Sequence, residues 1–463
     1  MLDSLTDVLA NRLLVVAVIG FGVIFTLRSR LLQLRHFGDM LRSLARSFRH
    51  DSGRLSSFQA LMLSLAGRVG SGNIAGVAVA IMAGGPGAVF WMWVIGLLGM
   101  ATSFLECSLA QLFKVARPDG SYRGGPAYYI ERGLGRRWLA LVFSVLLLCH
   151  SGLFMSAFQS FTVAASVQEA FGVPTSWTGI VLVAVLGVIV FGGVRRIAAA
   201  ADLLVPVMVA GYLLAALAVV LVNLADVPRV LALVVSSAFG LEPAVAGGVG
   251  AAIVHGAKRG LFSNEAGLGT APNVAAVAQV RHPASQGLLQ ALSVFIDTLL
   301  VCTATAAIIL FADVDPTMTG LGGVSLTQVA LADQLGDWGR PLVSVALVLF
   351  AFTSVMYSYY LAENCLDHLG AGGRLPLTAF RAIALVVVYW GTQQDLGTIF
   401  NLADLMMACL AGVNLYAIAS LSGLGLRLLG DYGRQRRAGV TDPVLDPADY
   451  PGVSLDAEAW KRG

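Results

Sequence analysis

Long apolar stretches recur along the whole chain and are separated by short polar segments. Each stretch approaches the ~20 residues that a helix needs to cross the hydrocarbon of a bilayer. The pattern therefore predicts an all-α polytopic membrane protein with about eleven spans. The predicted spans are Val8–Leu27, Phe58–Ala83, Gly87–Phe113, Trp138–Val167, Trp177–Val194, Ile197–Leu224, Val230–Ala257, Gln286–Phe311, Pro341–Asn364, Leu375–Trp390 and Ile399–Leu421.

Composition supports this class of protein. Of the 463 residues, 57% are hydrophobic and only 12% are charged, whereas a soluble domain carries ~25% charged residues. No basic cluster with interleaved aromatic residues indicates nucleic-acid binding. The sequence also lacks the HExxH, GxSxG and GxxxxGK[ST] motifs, which argues against an intramembrane enzyme and against ATP use. Nothing in the sequence predicts a resident cofactor or an obligate protein partner.

The charges between the spans predict the orientation. Arginine or lysine follows each odd-numbered span, as at Arg117 and at Lys258-Arg259, whereas the loop after the eighth span carries aspartates. By the positive-inside rule, the amino terminus faces outside and residues 431–463 form a cytoplasmic tail, of which we expect little to be ordered. This multi-pass protein would lie in a bacterial plasma (inner) membrane. The segment Leu31–Phe48 is either a surface amphipathic helix or a basic loop.

Two of the predicted spans are interrupted. Residues Ala66–Gly76 place glycines and an arginine inside an apolar run, and residues Ser236–Pro243 end on Glu242-Pro243. Proline lacks an N–H group and disfavours helix at the preceding residue. In lipid, a break survives only where protein or a water-filled cavity surrounds it. Matched breaks are typical of inverted-repeat transporters, although glycines also permit close helix packing.

The spacing of the breaks predicts the domain organisation. They lie roughly 170 residues apart, and each opens a run of five spans. Because five is odd, the two halves would face opposite ways, as in a LeuT-like inverted repeat preceded by one extra N-terminal helix. We expect one transmembrane transporter domain over residues 1–430, with the extra helix at 8–27, a first repeat at 58–224 and a second repeat at 230–421.

Several blocks of sequence carry a family resemblance. They are Phe58–Met62, Val69–Ala78, Gly84–Trp93, Gly124–Ile130, Arg259–Gly267 and Phe295–Thr298. In these blocks the chain resembles the alanine or glycine:cation symporter family of the amino acid–polyamine–organocation group. The resemblance implies secondary import of alanine or glycine together with sodium. One departure concerns Ser358, which stands where family members commonly have tryptophan, so the range of substrates can differ.

The interrupted helices predict a substrate site made largely of main chain. An amino acid zwitterion needs donors for its carboxylate and acceptors for its ammonium group. At the start of the half-helix after the first break, the predicted donors are the backbone N–H groups of Ser71, Gly72 and Asn73. The predicted acceptors are carbonyl oxygens near Phe239 and Gly240, with Phe239 walling a small pocket. The resemblance adds Gln159 beside the substrate, although a glutamine in lipid also serves as an interhelical hydrogen-bonding residue.

Sodium prefers hard oxygen ligands, and Thr353 and Ser354 form an adjacent hydroxyl pair. In the fold that the resemblance implies, their helix passes beside the first break. The resemblance then makes the carbonyl oxygens of Ala66, Val69 and Ala351 the remaining ion ligands. Alternatively, the two hydroxyls bond only to their own helix.

Asp297 is the best placed ionisable residue inside a span, because buried charge in a membrane is costly and marks function. Two roles are open for it, namely coupling to the ion and pairing with Arg68. If Asp297 titrates, the protein would be a proton-coupled amino acid carrier, which is the alternative to sodium symport.

Overall fold

The structure is a computed structural model that describes residues 7–48, 55–118, 120–191, 193–241, 248–314 and 323–460. Helices dominate it. In chain order they are α1 (Val8–Arg28), α2 (Leu32–Arg35), α3 (Phe37–Ser47), α4 (Ser57–Arg68), α5 (Ala75–Gly84), α6 (Gly87–Leu112), α7 (Pro126–Leu134), α8 (Arg137–Phe171), α9 (Thr175–Val190), α10 (Gly193–Val222), α11 (Val227–Ala238), α12 (Gly248–Asn264), α13 (Ala271–Ala275), α14 (Pro283–Phe311), α15 (Val324–Leu335), α16 (Gly339–His368), α17 (Arg374–Gly391) and α18 (Leu396–Arg437). Two short antiparallel strands, β1 (Val115–Ala116) and β2 (Tyr122–Arg123), precede α7.

The membrane class predicted from the sequence is confirmed. Within the described ranges, eight helices are long and apolar enough to cross a bilayer: α1, α6, α8, α10, α14, α16, α17 and α18. The pair α4–α5 adds a ninth span, bent by 55° at the first break. Helix α9 is apolar but short, and the predicted seventh span is divided between α11 and α12.

The buried helices form the centre of the molecule. Helix α6 packs against α12 and α14, and α4 packs against α10 and α16. Consecutive residues of α4 from Ala60 to Arg68 are all buried, so protein surrounds this helix on every side. Peripheral helices such as α10 instead expose leucines and valines to the surroundings, as at Leu203 and Leu214. In a membrane protein, these exposed apolar faces meet lipid.

The second half of the chain contains a helix interruption, after Asn264, that the sequence analysis did not predict. Helix α11 ends at Ala238, and the predicted Glu242-Pro243 break lies outside the described residues. Helix α12 ends at Asn264, and the chain then runs through buried, non-helical residues to α13. The backbone angle φ is positive at Glu265 (54°), Gly267 (95°) and Gly269 (80°). Such angles cannot continue a right-handed helix.

The charged pair that follows the predicted seventh span is not in a loop. Lys258 and Arg259 lie within α12, and both side chains pair with Asp404 of α18, at 2.7 and 2.8 Å. All three side chains are buried. The expectation that these two cations mark a cytoplasmic loop is therefore wrong, because the span continues beyond them to Asn264.

The carboxyl-terminal segment is more ordered than expected. Helix α18 extends to Arg437, and the described part of the tail packs back on the protein. The backbone N–H of Leu445 donates to the carbonyl of Arg281 (2.8 Å), and Nε1 of Trp460 donates to the carbonyl of Leu112 at the end of α6 (3.1 Å). Tyr450, Ala459 and Trp460 are buried.

Candidate functional site: an interrupted helix

The first break begins where α4 ends at Arg68. Val69 (φ −80°, ψ 83°) and Gly70 (φ −127°, ψ −161°) leave the helical region, and Ser71–Asn73 form one 3₁₀ turn before α5. The N–H of Gly70 donates to Oδ1 of Asn73 (2.9 Å) rather than to the carbonyl of Ala66. The Ala66 carbonyl is thereby released from its normal helical partner and is available for another one.

The glycines of the break allow α16 to lie against it. A Cβ atom at Gly67 would overlap the ring of Tyr357, and one at Gly70 would lie 2.5 Å from Oγ of Ser354. Both neighbours are buried side chains of α16. Any larger residue at these two positions would separate the helices, so these two glycines are required for close approach.

Ser354 connects α16 to the released carbonyl. Its Oγ lies 2.9 Å from the carbonyl oxygen of Ala66 and 2.9 Å from that of Phe350 in its own helix, so the hydroxyl can donate to either one. The Thr353 hydroxyl also donates to the Phe350 carbonyl (2.9 Å) and contacts Sδ of Met208 in α10 (3.7 Å). Carbonyl and hydroxyl oxygens thus converge at the end of α4, and they are the hard ligands that sodium prefers.

The other two predicted ion ligands are Ala351 and Val69. Thr353 and Ser354 both contact the carbonyl of Phe350, and Ala351 lines a small cavity together with Gln159 and Val163. Val69 lies buried in the break, and its N–H closes α4 by donating to Leu65 (2.7 Å).

Gln159 of α8 binds directly to the first break. Its Oε1 accepts from the hydroxyl of Ser71 (2.6 Å) and from the N–H of Ser71 (3.2 Å). Gln159 follows a π-helical stretch, Leu148–Met155, that interrupts the regular winding of α8. Gln159 was predicted either to lie beside the substrate or to make an interhelical hydrogen bond. Its interhelical hydrogen bond is made to Ser71, which is also a predicted donor to the substrate, so the two interpretations concern the same contact. A substrate carboxylate at Ser71 would have to displace this amide oxygen.

Asp297 of α14 joins the first break to the end of α12. Its Oδ1 accepts from Nδ2 of Asn73 (2.6 Å), and its Oδ2 accepts from the hydroxyls of Ser263 (2.8 Å) and Thr298 (2.8 Å). Arg68 instead donates to Ser103 Oγ (2.9 Å) and to the carbonyl of Gln290 (3.3 Å). Asp297 and Arg68 thus have different hydrogen-bond partners, and neither side chain has the other among its close contacts, contrary to one of the two roles predicted for Asp297.

The aromatic wall of the site is Phe262 rather than Phe239. A Cβ at Gly72 would lie 3.0 Å from Cδ1 of Phe262, and Phe158 meets the Phe262 ring edge-on with a centroid distance of 4.9 Å. Phe239 is 51% exposed and packs on Phe90 of α6 (5.2 Å). Gly240 lies in the exposed turn after α11. Phe239 and Gly240 therefore do not hold the places predicted for them.

The sequence contained a signal for the residues that were missed. The run from Phe262 to Gly269 combines Ser263, Asn264 and Glu265 with two glycines. Polar residues mixed with glycines inside a buried segment are the same signal that identified the first break. The place of this run beside the first break was not predicted.

The comparisons with known proteins agree with this architecture. The model of the sodium:alanine symporter family matches residues 1–447. Amino-acid carrier protein AlsT of Bacillus subtilis is 44% identical over 96% of this chain and 94% of its own length. The probable sodium/glutamine symporter GlnT of the same organism is 43% identical, covering 95% and 91%. Sodium/alanine symporter AgcS of Methanococcus maripaludis is 36% identical, covering 89% and 92%.

A likeness among solved structures concerns the fold alone. A manganese transporter of Eremococcus coleocola superposes with a TM-score of 0.54 at 14% sequence identity, covering 81% of this chain and 79% of that one. The apolar spans make this a polytopic membrane protein, and its family and named relatives are transporters rather than enzymes. The chain belongs to the sodium:alanine symporter family.

Proposed function

We propose that this protein is a secondary active symporter that imports a small neutral amino acid, alanine or glycine, coupled to sodium. The observation that carries the proposal is the convergence of oxygens at the first break. The released carbonyl of Ala66 lies with the carbonyl of Phe350 and the hydroxyls of Thr353 and Ser354, all buried. This oxygen cluster suits a sodium ion, and the adjoining turn Ser71–Asn73 suits a carboxylate.

The helix order supports a LeuT-like arrangement of five and five spans after one extra helix. Helix α1 is the extra helix. The first repeat is α4–α5, α6, α8, α9 and α10, and the second is α12–α13, α14, α16, α17 and α18. Each repeat then opens with an interrupted helix. This assignment moves the start of the second repeat from residue 230 to Gly248 and keeps the count at about eleven spans.

The same assignment supports an outside amino terminus and a cytoplasmic tail in a bacterial inner membrane. The arginines that follow α1, those around α7 and those that end α18 would then share one side, as the positive-inside rule requires. Alternating exposure of the central site to the two sides would carry amino acid and sodium inward together.

Phe262 supports a small substrate. A Cβ built on Gly72 would lie 3.0 Å from Cδ1 of Phe262, closer than an ordinary van der Waals contact, and Phe158 meets the Phe262 ring edge-on. Little room is left beside the turn for a long side chain. Alanine and glycine fit this limit better than glutamine, which the name of one relative specifies.

The test is uptake of labelled alanine into proteoliposomes with sodium or potassium outside at fixed pH. Sodium should drive accumulation and potassium should not. Gly72→Leu should abolish uptake because its side chain would extend into Phe262, whereas Gly20→Leu on α1, where a Cβ meets nothing within 4 Å, should keep it. Sodium-independent accumulation would refute the proposed coupling, and full uptake by Gly72→Leu would refute the proposed site.

A proton-coupled carrier is the second candidate, and Asp297 is the observation that favours it. Its carboxyl is fully buried and accepts hydrogen bonds from Asn73, Ser263 and Thr298. An imposed pH gradient without sodium separates the two candidates. Uptake that follows the pH gradient and disappears in Asp297→Asn would favour protons. Sodium-driven uptake that is indifferent to the gradient would favour the symporter.

A further inference from the structure

A groove of about 470 Å³ lies between α1 and α18, apart from the interrupted helix. Its lining includes Ala17 and Phe21 of α1 and Gly412, Tyr416, Ala419 and Ser420 of α18. Three of these, Gly412, Tyr416 and Ser420, recur every four residues and so form one exposed face of α18. The volume is within the ~300–1,000 Å³ of typical ligand sites.

The occupant of most of this groove must be hydrocarbon. The lining is mainly alanine, glycine and aromatic side chains, and both helices are long enough to span a bilayer. Neighbouring residues of α1, such as Val16 and Ile24, are exposed and apolar, so they meet lipid. A groove on a lipid-facing surface fills with an acyl chain because the bilayer contains no other abundant apolar solute.

One end of the groove carries positive charge. Arg28, at the end of α1, donates from Nη1 to Oγ of Ser422 in α18 (2.6 Å). The guanidinium of Arg136 lies 5.4 Å from the centroid of the Tyr416 ring, which lines the groove. Arg28 and Arg136 come from separate segments and are both exposed. Guanidinium groups bind phosphate oxygens through paired N–H donors.

We propose that this groove binds one anionic phospholipid from the leaflet on the arginine-rich side. Its acyl chain lies between α1 and α18, and its phosphate contacts Arg28 and Arg136. Charge complementarity selects this occupant: a zwitterionic lipid offers the same hydrocarbon but carries a cation beside its phosphate. The bound lipid fills the gap between the extra N-terminal helix and the last helix.

The test is native mass spectrometry of the purified full-length protein with added phosphatidylglycerol or phosphatidylcholine. The protein should retain one tightly bound phosphatidylglycerol in preference to phosphatidylcholine. Gly412→Leu should remove this lipid by filling the groove, and a Cβ there meets nothing within 4 Å, so the fold tolerates the change. Arg28→Gln and Arg136→Gln should each weaken retention about fivefold, which is the usual effect of one arginine on anionic lipid.

Matched controls separate the groove from general effects. Gly211→Leu is on the exposed side of α10, which does not line the groove, and has equally open space at its Cβ; Arg137→Gln removes a neighbouring arginine that lies near Glu131 (3.9 Å) instead. Both controls should retain the lipid. Equal retention of the two lipids would overturn the proposal. So would equal losses of lipid in Gly412→Leu and Gly211→Leu, or the finding that the groove holds a dimer together and that Gly412→Leu dissociates it.

Discussion

Ser354 illustrates how a single hydroxyl defines the candidate ion site. It carries one proton, yet two carbonyl oxygens, those of Ala66 and Phe350, both lie 2.9 Å from its Oγ. One hydroxyl proton can be donated to only one acceptor at a time. The Ser354 hydroxyl and the two carbonyl oxygens therefore have, taken together, more lone pairs than protons to share. Thr353 adds another hydroxyl oxygen beside Phe350. An excess of buried acceptors favours a cation at this place.

Replacement of this hydroxyl tests the ion site. Ser354→Ala should raise the sodium concentration for half-maximal alanine uptake about tenfold, because a hydrogen-bonding or ligating group to a charge contributes ~1.5–3 kcal/mol. Thr353→Ala should act in the same direction. Uptake by proteoliposomes over a series of sodium concentrations measures both changes.

The control is Thr378→Ala, which removes an exposed hydroxyl that bonds only the carbonyl of Arg374 one turn earlier in α17 (2.8 Å). Its sodium response should equal that of the unmodified protein. An unchanged sodium response in both Ser354→Ala and Thr353→Ala would place the ion elsewhere.

At the scale of elements, α12 holds the central site to the rest of the protein. Near its end it places Phe262 against Gly72, and Ser263 reaches Asp297 of α14. One turn earlier, Lys258 and Arg259 pair with Asp404 of α18. The guanidinium of Arg259 also lies 5.4 Å from the Phe262 ring. A shift of α12 would therefore move the aromatic wall and the ionic contact together.

Asp404→Asn tests this connection. The change leaves two buried cations without their carboxylate, and breaking a buried ion pair costs ~3–5 kcal/mol. We expect a clearly lower Tm in detergent and reduced alanine uptake. Thermal unfolding of the purified variant measures the first effect.

Asp226→Asn is the matched control because Asp226 pairs with Arg229 at 3.0 Å on the exposed surface. Exposed pairs contribute ~0–1 kcal/mol, so its Tm should stay near that of the unmodified protein. Equal Tm values for the two variants would mean that the Asp404 cluster does not stabilise the fold.

At the scale of the whole molecule, the segment after α18 connects helix ends that are far apart in sequence. Leu445 bonds to Arg281 just before α14, and Trp460 bonds to Leu112 at the end of α6. The ammonium of Lys114 lies 4.6 Å from the centroid of the Trp460 ring. These contacts place the tail against the side of the protein on which α6 ends and α14 begins.

Trp460→Ala should release this segment. The change removes a buried indole, its hydrogen bond and its contact with Lys114. In inside-out vesicles, proteinase K should then shorten the chain to near Arg437 much faster than in the unmodified protein. The apparent mass of the chain on a denaturing gel after timed digestion measures the rate of this shortening.

Trp338→Ala is the control, since Trp338 is an exposed tryptophan. Its digestion should match that of the unmodified protein. Rapid loss of the tail from right-side-out vesicles instead would reverse the proposed orientation, and equal digestion of both variants would contradict the docking of the tail.

The membrane class and the first interrupted helix were predictable because their causes are local. Runs of apolar residues near the length of a bilayer predict spans without reference to any partner. Glycines at 67, 70 and 72 weaken a helix wherever it lies, and the break appears between Arg68 and Ala75. Ser71 and, with the help of the family resemblance, Gln159 were each predicted to lie beside the substrate, and the two side chains are hydrogen bonded to each other.

Other features were decided by tertiary structure alone. Phe262 comes from a distant part of the chain, and only the folded structure shows that it, rather than Phe239, lies against Gly72. Lys258 and Arg259 are consistent with a loop until Asp404 is brought to them. The sequence by itself determines the membrane class and where the first interrupted helix is weak, whereas contacts between distant segments exist only in the folded chain.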